Sequence, residues 1–234
     1  MPNEVLFVIE IIICFSVILF CNRFFKKEGL IAWIAIASIL ANIITAKNVD
    51  AFGLTYTLGT VLFASTFLAT DILTERFGKE EAKKGVFIGM FATLTFIGAS
   101  QLALLYTPSS IDYADGSMRT LFSLNLRISI SSVIMYFIAN LADVYLYSAL
   151  RQKMNGKAMW FRNNVSTILC NCLENFLFMG GAFLGIYDFK TVLIMAISTS
   201  IVEAVVGLCD TPFLYIATRF DRKKNNLTKE EIVA

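Results

Sequence analysis

Between residues 5 and 220 the sequence returns seven times to an apolar run of about bilayer length, at 5–21, 30–46, 54–74, 86–106, 120–150, 163–178 and 191–220. A helix needs about 20 mostly apolar residues to cross a bilayer, and inside lipid only helices and closed barrels satisfy their own backbone. That repetition predicts an all-α integral membrane protein, a bundle of about seven transmembrane helices. A composition that is 57% hydrophobic with only three prolines excludes a soluble domain of 234 residues. The basic residues set the expected orientation. Sixteen of the 20 lysines and arginines fall in four segments, 22–29, 75–85, 151–162 and 219–229, which alternate with the spans. The positive-inside rule places these four on the cytoplasmic side, with the N-terminus outside and the C-terminus in the cytoplasm of a multi-pass inner-membrane protein. No internal repeat, low-complexity stretch or second domain stands out.

Carboxylates inside the spans carry the functional signal. A charged side chain at mid-bilayer costs about 3 kcal/mol on insertion scales, so such a residue is expected to face a cavity or a partner. The stretch 163–178, NNVSTILCNCLENFLF, holds one acid and four asparagines. At helical spacing Thr167, Asn171, Glu174 and Phe178 share a face with Asn175 beside them, opposite Ile168, Leu169, Leu173 and Leu177. The competing reading is structural, because asparagines also join membrane helices by hydrogen bonds worth about 1 kcal/mol. A second polar and aromatic stripe, Tyr136, Asn140, Asp143 and Tyr147, runs along the fifth span. The last span holds Glu203 and Asp210 on one face with Gly207 between them, a spacing that leaves room for a flat ligand, and Pro212 predicts a kink or irregular turn there. Together Glu174 and Glu203 are expected near mid-span, and Asp71, Asp143 and Asp210 in the cytoplasmic half, where they could line one path.

Other features are read more plainly. Asp71 and Glu75 lie four apart and could bind a cation or an amine, or form ordinary salt bridges with Arg76 and nearby lysines. Gly78 suits a left-handed helix end. Ala37 and Ala41 have small-xxx-small spacing that would admit a neighbouring helix. Glu10 falls at the outer headgroups or inside the bundle. The connection 107–119 is the longest outer loop and could cover the outer mouth, Arg127 sits in the outer part of a tilted or projecting fifth span, and 221–234 reads as a charged, mobile tail. The chain has no histidine and no CxxC, which removes Ser/His and Cys/His nucleophiles and HExxH zinc sites. Its five cysteines read as small buried residues rather than a disulfide or metal site. No catalytic residue, metal or cofactor is expected, and the protein is not expected to be an enzyme.

A planar, hydrogen-bonding solute such as a purine-like base suits these residue types: carboxylate and asparagine match ring and exocyclic donors, while Phe176, Phe178, Tyr136 or Tyr147 could stack on its faces. Four runs, FLATDILTERFG, NLADVYLYSALR, NNVSTILCNCLENFLF and CDTPFLY, resemble in order and spacing the queuosine precursor transporters, a bacterial membrane family also known for vitamin uptake. The resemblance covers residues 48–220. It implies uptake of 7-deazaguanine bases such as preQ0, preQ1 or queuine, and a six-helix core over 30–220 similar to the substrate-binding subunits of energy-coupling-factor transporters. The first helix and its basic loop, 1–29, would then be additional. The family's acidic positions fall on Asp71, Asp143, Glu174 and Asp210, and its polar helix on Ser166, Thr167 and Asn171. Two positions depart from the family pattern: Glu174 is one methylene longer than the usual aspartate, and Glu203 stands near a usually basic position. The substrate-binding residues expected are Glu174, Asn171, Asn175, Thr167, Asp143, Asn140, Asp71, Glu203, Asp210 and Phe178. The partners expected are a purine-like base and the lipid bilayer, with a homodimer or an energy-coupling partner left open and no nucleic acid. The alternative is a binding subunit of an ATP-driven uptake system, docked through Ala37 and Ala41.

Overall fold

The computed structural model describes the backbone of residues 1–45, 47–122 and 126–233, and their side chains except at 48, 55, 126–130 and 220–233. The expectations for Arg127 and for the side chains of the tail lie outside the described residues. The elements in order are α1 (Asn3–Phe24), α2 (Lys26–Ile44), β1 (Asn48–Ala51), β2 (Leu54–Thr57), α3 (Gly59–Arg76), α4 (Lys79–Leu104), α5 (Asp115–Phe122), α6 (Leu126–Lys153), α7 (Met159–Phe183) and α8 (Phe189–Val233). Six of them, α1, α2, α4, α6, α7 and α8, are long and apolar enough to cross a membrane. Large apolar side chains such as Phe91, Leu102, Leu169, Ile194 and Leu208 are exposed on their outer faces, where lipid takes the place of a protein partner.

Helix α3 has a different character. Every residue from Gly59 to Thr74 is buried except Phe63, and the helix packs against α1, α2, α4, α6 and α8. A helix enclosed on all sides never meets lipid and can carry polar side chains. Ser65, Thr66, Thr70 and Thr74 each donate to a carbonyl three or four residues back, at 2.6–2.9 Å, so their hydroxyls are satisfied without a neighbour. α1 joins the same large core through Phe15 and Ile18.

Three expectations are corrected. The run 54–74 is not one span: Leu54–Thr57 pairs antiparallel with Asn48–Ala51, and the helix starts at Gly59. The two-residue loop Phe52–Gly53 has positive φ at both positions, 55° and 75°, which matches the right-handed twist of a tight hairpin, and Val49, Thr55, Tyr56 and Thr57 favour strand. The outer connection holds a short helix, α5. The last helix runs unbroken through Pro212 to Val233, so no irregular turn interrupts it. Gly78 does follow the end of α3, with φ 94° and ψ 162°, a positive φ but an extended rather than left-handed helical backbone.

The two ends of the bundle differ. At the hairpin end, Asn3 donates to the Asp50 carbonyl at 2.8 Å and Phe7 packs edge-on against Phe52 and Tyr56. At the basic end, Lys27 pairs with Glu81 at 3.4 Å and Arg76 donates to Asn22, which in turn reaches the Ala217 carbonyl at 3.3 Å. Charge asymmetry in the sequence thus becomes a physical polarity of the bundle.

Candidate functional site

α7 turns its polar face inward. Asn163, Ser166, Thr167, Cys170, Asn171, Glu174 and Asn175 are buried, while Leu169, Leu173, Phe176 and Leu177 are exposed. The helix lies between α6 and α8, so the stripe read from its sequence faces the stripe on α6, where Tyr136, Asn140, Asp143 and Tyr147 are likewise buried. The arrangement is inverted relative to a soluble bundle because the outside is lipid.

A cavity of about 130 Å³ lies in the hairpin half of this interior, its wall running from Thr57 and Thr60 to Glu174 and Glu203. Its volume is well below the roughly 300–1,000 Å³ of sites for drug-sized molecules, which fits a small occupant. Asn175 donates to Glu203 Oε2 at 2.6 Å, and Glu174 leaves Oε2 buried without a partner. The aromatic wall consists of Phe178, Tyr136 and Phe63, the last two edge-to-face at 5.3 Å. Tyr136 receives a hydrogen bond from Ser38 at 2.8 Å, which fixes the phenol over the cavity. The site therefore offers two carboxylates and an amide beside apolar ring faces.

Of the expected residues, Glu174, Asn175, Glu203 and Phe178 line this cavity. Asp71, Asn140, Asp143, Thr167, Asn171 and Asp210 are buried in the bundle but are not part of its wall. The single path expected for the acids therefore divides into two levels. At the second level Asp71 of α3 and Asp143 of α6 are neighbours, and Asn163 donates to Asp210 Oδ1 at 2.5 Å. Gly207 leaves no slot for a flat ligand, because a Cβ there would stand 3.3 Å from Thr167 Cγ2; it lets α7 and α8 approach closely instead. Of the proposed stacking residues, Phe176 faces outward and Tyr147 is enclosed elsewhere. Phe63, Ser38 and Thr60 were not singled out in the sequence, since a phenylalanine among 21 and hydroxyls on ordinary helical faces give no signal there.

Toward the basic end, a polar cluster joins three helices. Arg162 of α7, fully buried, donates to Glu75 Oε2 of α3 at 3.0 Å; Tyr147 of α6 donates to the same oxygen at 3.1 Å; Arg151 stands 3.4 Å from it and donates to the Thr74 carbonyl at 3.0 Å. Glu75 thus pairs with Arg162 and Arg151, and the Asp71 carboxylate makes none of these contacts. Among the described residues, no group of three or more Cys, Asp or Glu is disposed to hold a metal ion. Ala37 and Ala41 are buried within the chain's own bundle and present no docking surface. Cys170 is buried, Cys172 half-buried and Cys209 exposed, and all are free thiols. The Asp188 carboxylate, in the connection before α8, accepts from the Thr191 hydroxyl at 2.6 Å and backbone amide at 3.1 Å, and these bonds hold it below the usual carboxylate range.

Residues 57–217 match a family described as "Putative vitamin uptake transporter". The chain is 36% identical to a Bacillus subtilis protein named "Probable queuosine precursor transporter", over 94% of this chain and 96% of that one. It is 33% identical to a Haemophilus influenzae protein of the same name, over 54% of this chain and 52% of that one. No solved structure matches significantly. The Bacillus alignment spans 220 of the 234 residues and so reaches into α1. With its spanning helices and its buried polar cavity, the chain belongs to this family of multi-pass membrane transporters, which are not enzymes.

Proposed function

We propose that the protein imports queuosine precursors, 7-deazaguanine bases, across the bacterial inner membrane, with Glu174, Asn175 and Glu203 as the polar anchors of the base. The observation that carries this reading is the cavity itself. Two carboxylates, Glu174 of α7 and Glu203 of α8, the second held by Asn175, stand beside the rings of Tyr136, Phe63 and Phe178 in a space suited to a small planar molecule. A deazaguanine presents adjacent ring N–H and exocyclic amino donors to a carboxylate and two flat faces to aromatic edges. The unpartnered Glu174 oxygen is the acceptor such donors would meet. The positive-inside rule orients the basic end toward the cytoplasm, so the cavity belongs to the outer half and the hairpin to the outer surface.

The test is thermal stabilisation of the detergent-solubilised protein by preQ0, preQ1, queuine, guanine and riboflavin. A ligand that binds only the folded state raises Tm, by about 2.7 kcal/mol of stability at a hundredfold excess over Kd. Stabilisation by a deazaguanine, weakened at least tenfold in apparent affinity by Glu174→Gln, is expected. Stabilisation by riboflavin alone would replace the substrate class, and an unaltered response in Glu174→Gln would remove Glu174 from the site.

A further inference from the structure

Below the cavity, the second level of acids has no assigned role. Asp71 and Asp143 are both fully buried, and their carboxyls lie within hydrogen-bonding reach of one another. Yet none of their four oxygens has a hydrogen-bond partner in the structure, and the hydroxyl beside Asp143, that of Ser166, donates to the Asn163 carbonyl at 3.3 Å. The two observations agree once the chemistry of the group is considered: two carboxylates are both acceptors and cannot bond each other, whereas one proton between them makes a hydrogen bond of the contact. A second, separate side chain points the same way. Asn163 places its amide nitrogen on Asp210, a neighbouring charge of the pair, and its own Oδ1 is likewise buried and unpartnered. What the cluster lacks is a hydrogen-bearing positive species. Among the described residues no group of three or more carboxylates or thiols is disposed to hold a metal ion, whereas a shared proton needs only the two carboxyls.

Resting on the transport reading above, we propose that Asp71 and Asp143 together bind the proton whose inward movement drives uptake of the solute. The groups facing the pair are known from each packed element. α3 contributes Glu75 one turn away, α6 Tyr147, α7 Ser166 and Cys170, and α8 Asp210. Arg162, the buried cation nearest this level, is held by Glu75 and its guanidinium lies 5.3 Å from the Tyr147 ring. From the cavity, the α7 face supplies Glu174, Asn171 and Thr167 in succession, each with a buried polar atom lacking a partner, a polar ladder that leads from the solute to the aspartates. The proton balance is simple: one enters with the solute from the outer side, rests between the two carboxyls, and leaves to the cytoplasm when the Glu75–Arg162–Tyr147 contacts open. No bond to the solute is made or broken.

The experiment uses purified full-length protein in liposomes, with labelled preQ1 as probe. Counterflow, the exchange of external label for internal unlabelled base, needs no gradient and reads transport by itself. Accumulation under an inside-alkaline gradient of one pH unit reads coupling, and one proton per solute carries it to about tenfold. A lumenal pH dye reads proton entry on addition of base. The expected result is pH-driven accumulation and lumenal acidification in the natural protein, with the inside-to-outside ratio of the base falling to about one in Asp71→Asn and in Asp143→Asn while counterflow persists; loss of counterflow in both variants would overturn the proposal by placing the pair in the solute path itself. Accumulation driven by a sodium gradient and indifferent to pH would overturn the proposal while leaving the transport reading standing. So would pH-driven accumulation that survives in both variants. Absence of counterflow in the natural protein would remove the transport reading and this one with it.

Discussion

Replacing Glu75 with alanine should destabilise the protein more than replacing its partner Arg162, and the structure says why. The Arg162 side chain is 0% exposed and Glu75 16% exposed, so the pair is buried unequally. Without Glu75 the guanidinium keeps, among the described residues, the Tyr147 ring alone, for its Nε and Nη1 already lack partners there. Breaking a buried pair so that a charge is left uncompensated costs about 3–5 kcal/mol. Without Arg162, by contrast, Glu75 keeps the Tyr147 hydroxyl and Arg151, and the loss is closer to that of one charged hydrogen bond, about 1–3 kcal/mol. In a chain of this size each kcal/mol moves Tm by about 2–4 °C, which predicts a fall of roughly 6–20 °C for Glu75→Ala and roughly 2–12 °C for Arg162→Ala. The double variant leaves neither charge stranded and should melt above Glu75→Ala alone. The assay is thermal melting in one detergent at one scan rate, since unfolding of such a protein is read as a rate when it is irreversible. A Glu75→Ala melting point within about 2 °C of the natural protein, or a double variant below both singles, would refute the argument that Arg162 depends on this carboxylate.

Gly89→Ala places a Cβ 2.9 Å from the Tyr136 hydroxyl and 2.8 Å from Ile34 Cγ2, displacing the Ser38–Tyr136 hydrogen bond; ligand-titrated melting should show affinity for the base falling several-fold, about 1 kcal/mol, as it should for Tyr136→Phe. Asn175→Ala removes the only described donor to Glu203 Oε2 and should cut counterflow several-fold while Tm falls by no more than about 2–4 °C, the cost of about one hydrogen bond. Asp188 stabilises the start of α8 as a carboxylate, so its contribution is present at neutral pH and is lost as pH falls through its lowered value; Asp188→Ala should lower Tm slightly at pH 7 and not at pH 2, while Asp188→Asn, a good cap at any pH, should hold Tm at both.

The residues themselves made most of the architecture legible. Apolar runs of bilayer length must become helices because lipid offers the backbone no partner, and the sign of the connecting loops fixes which ends lie together. Asparagine, glutamate and threonine at steps of three and four on 163–178 had to share a face, and the burial of Thr167, Asn171 and Glu174 against exposed Leu169 and Leu173 follows from that spacing. The hairpin was hidden because Leu54–Thr57 leads almost directly into the apolar helix that starts at Gly59, and over four residues periodicity does not separate strand from helix.

Which acids share a compartment was decided only by tertiary packing. Spacing says that Glu203 and Asp210 lie on one face of α8, but not that Glu203 meets Asn175 while Asp210, two turns on, meets Asn163. Nor could it say that Glu75 would find Arg162, 87 residues away, while Asp71, one turn earlier, would face Asp143. Helical periodicity fixes the direction of a side chain relative to its own axis; the depth, rotation and neighbour of that axis come from how α3, α6, α7 and α8 pack, and those are sums over many contacts that no local pattern carries.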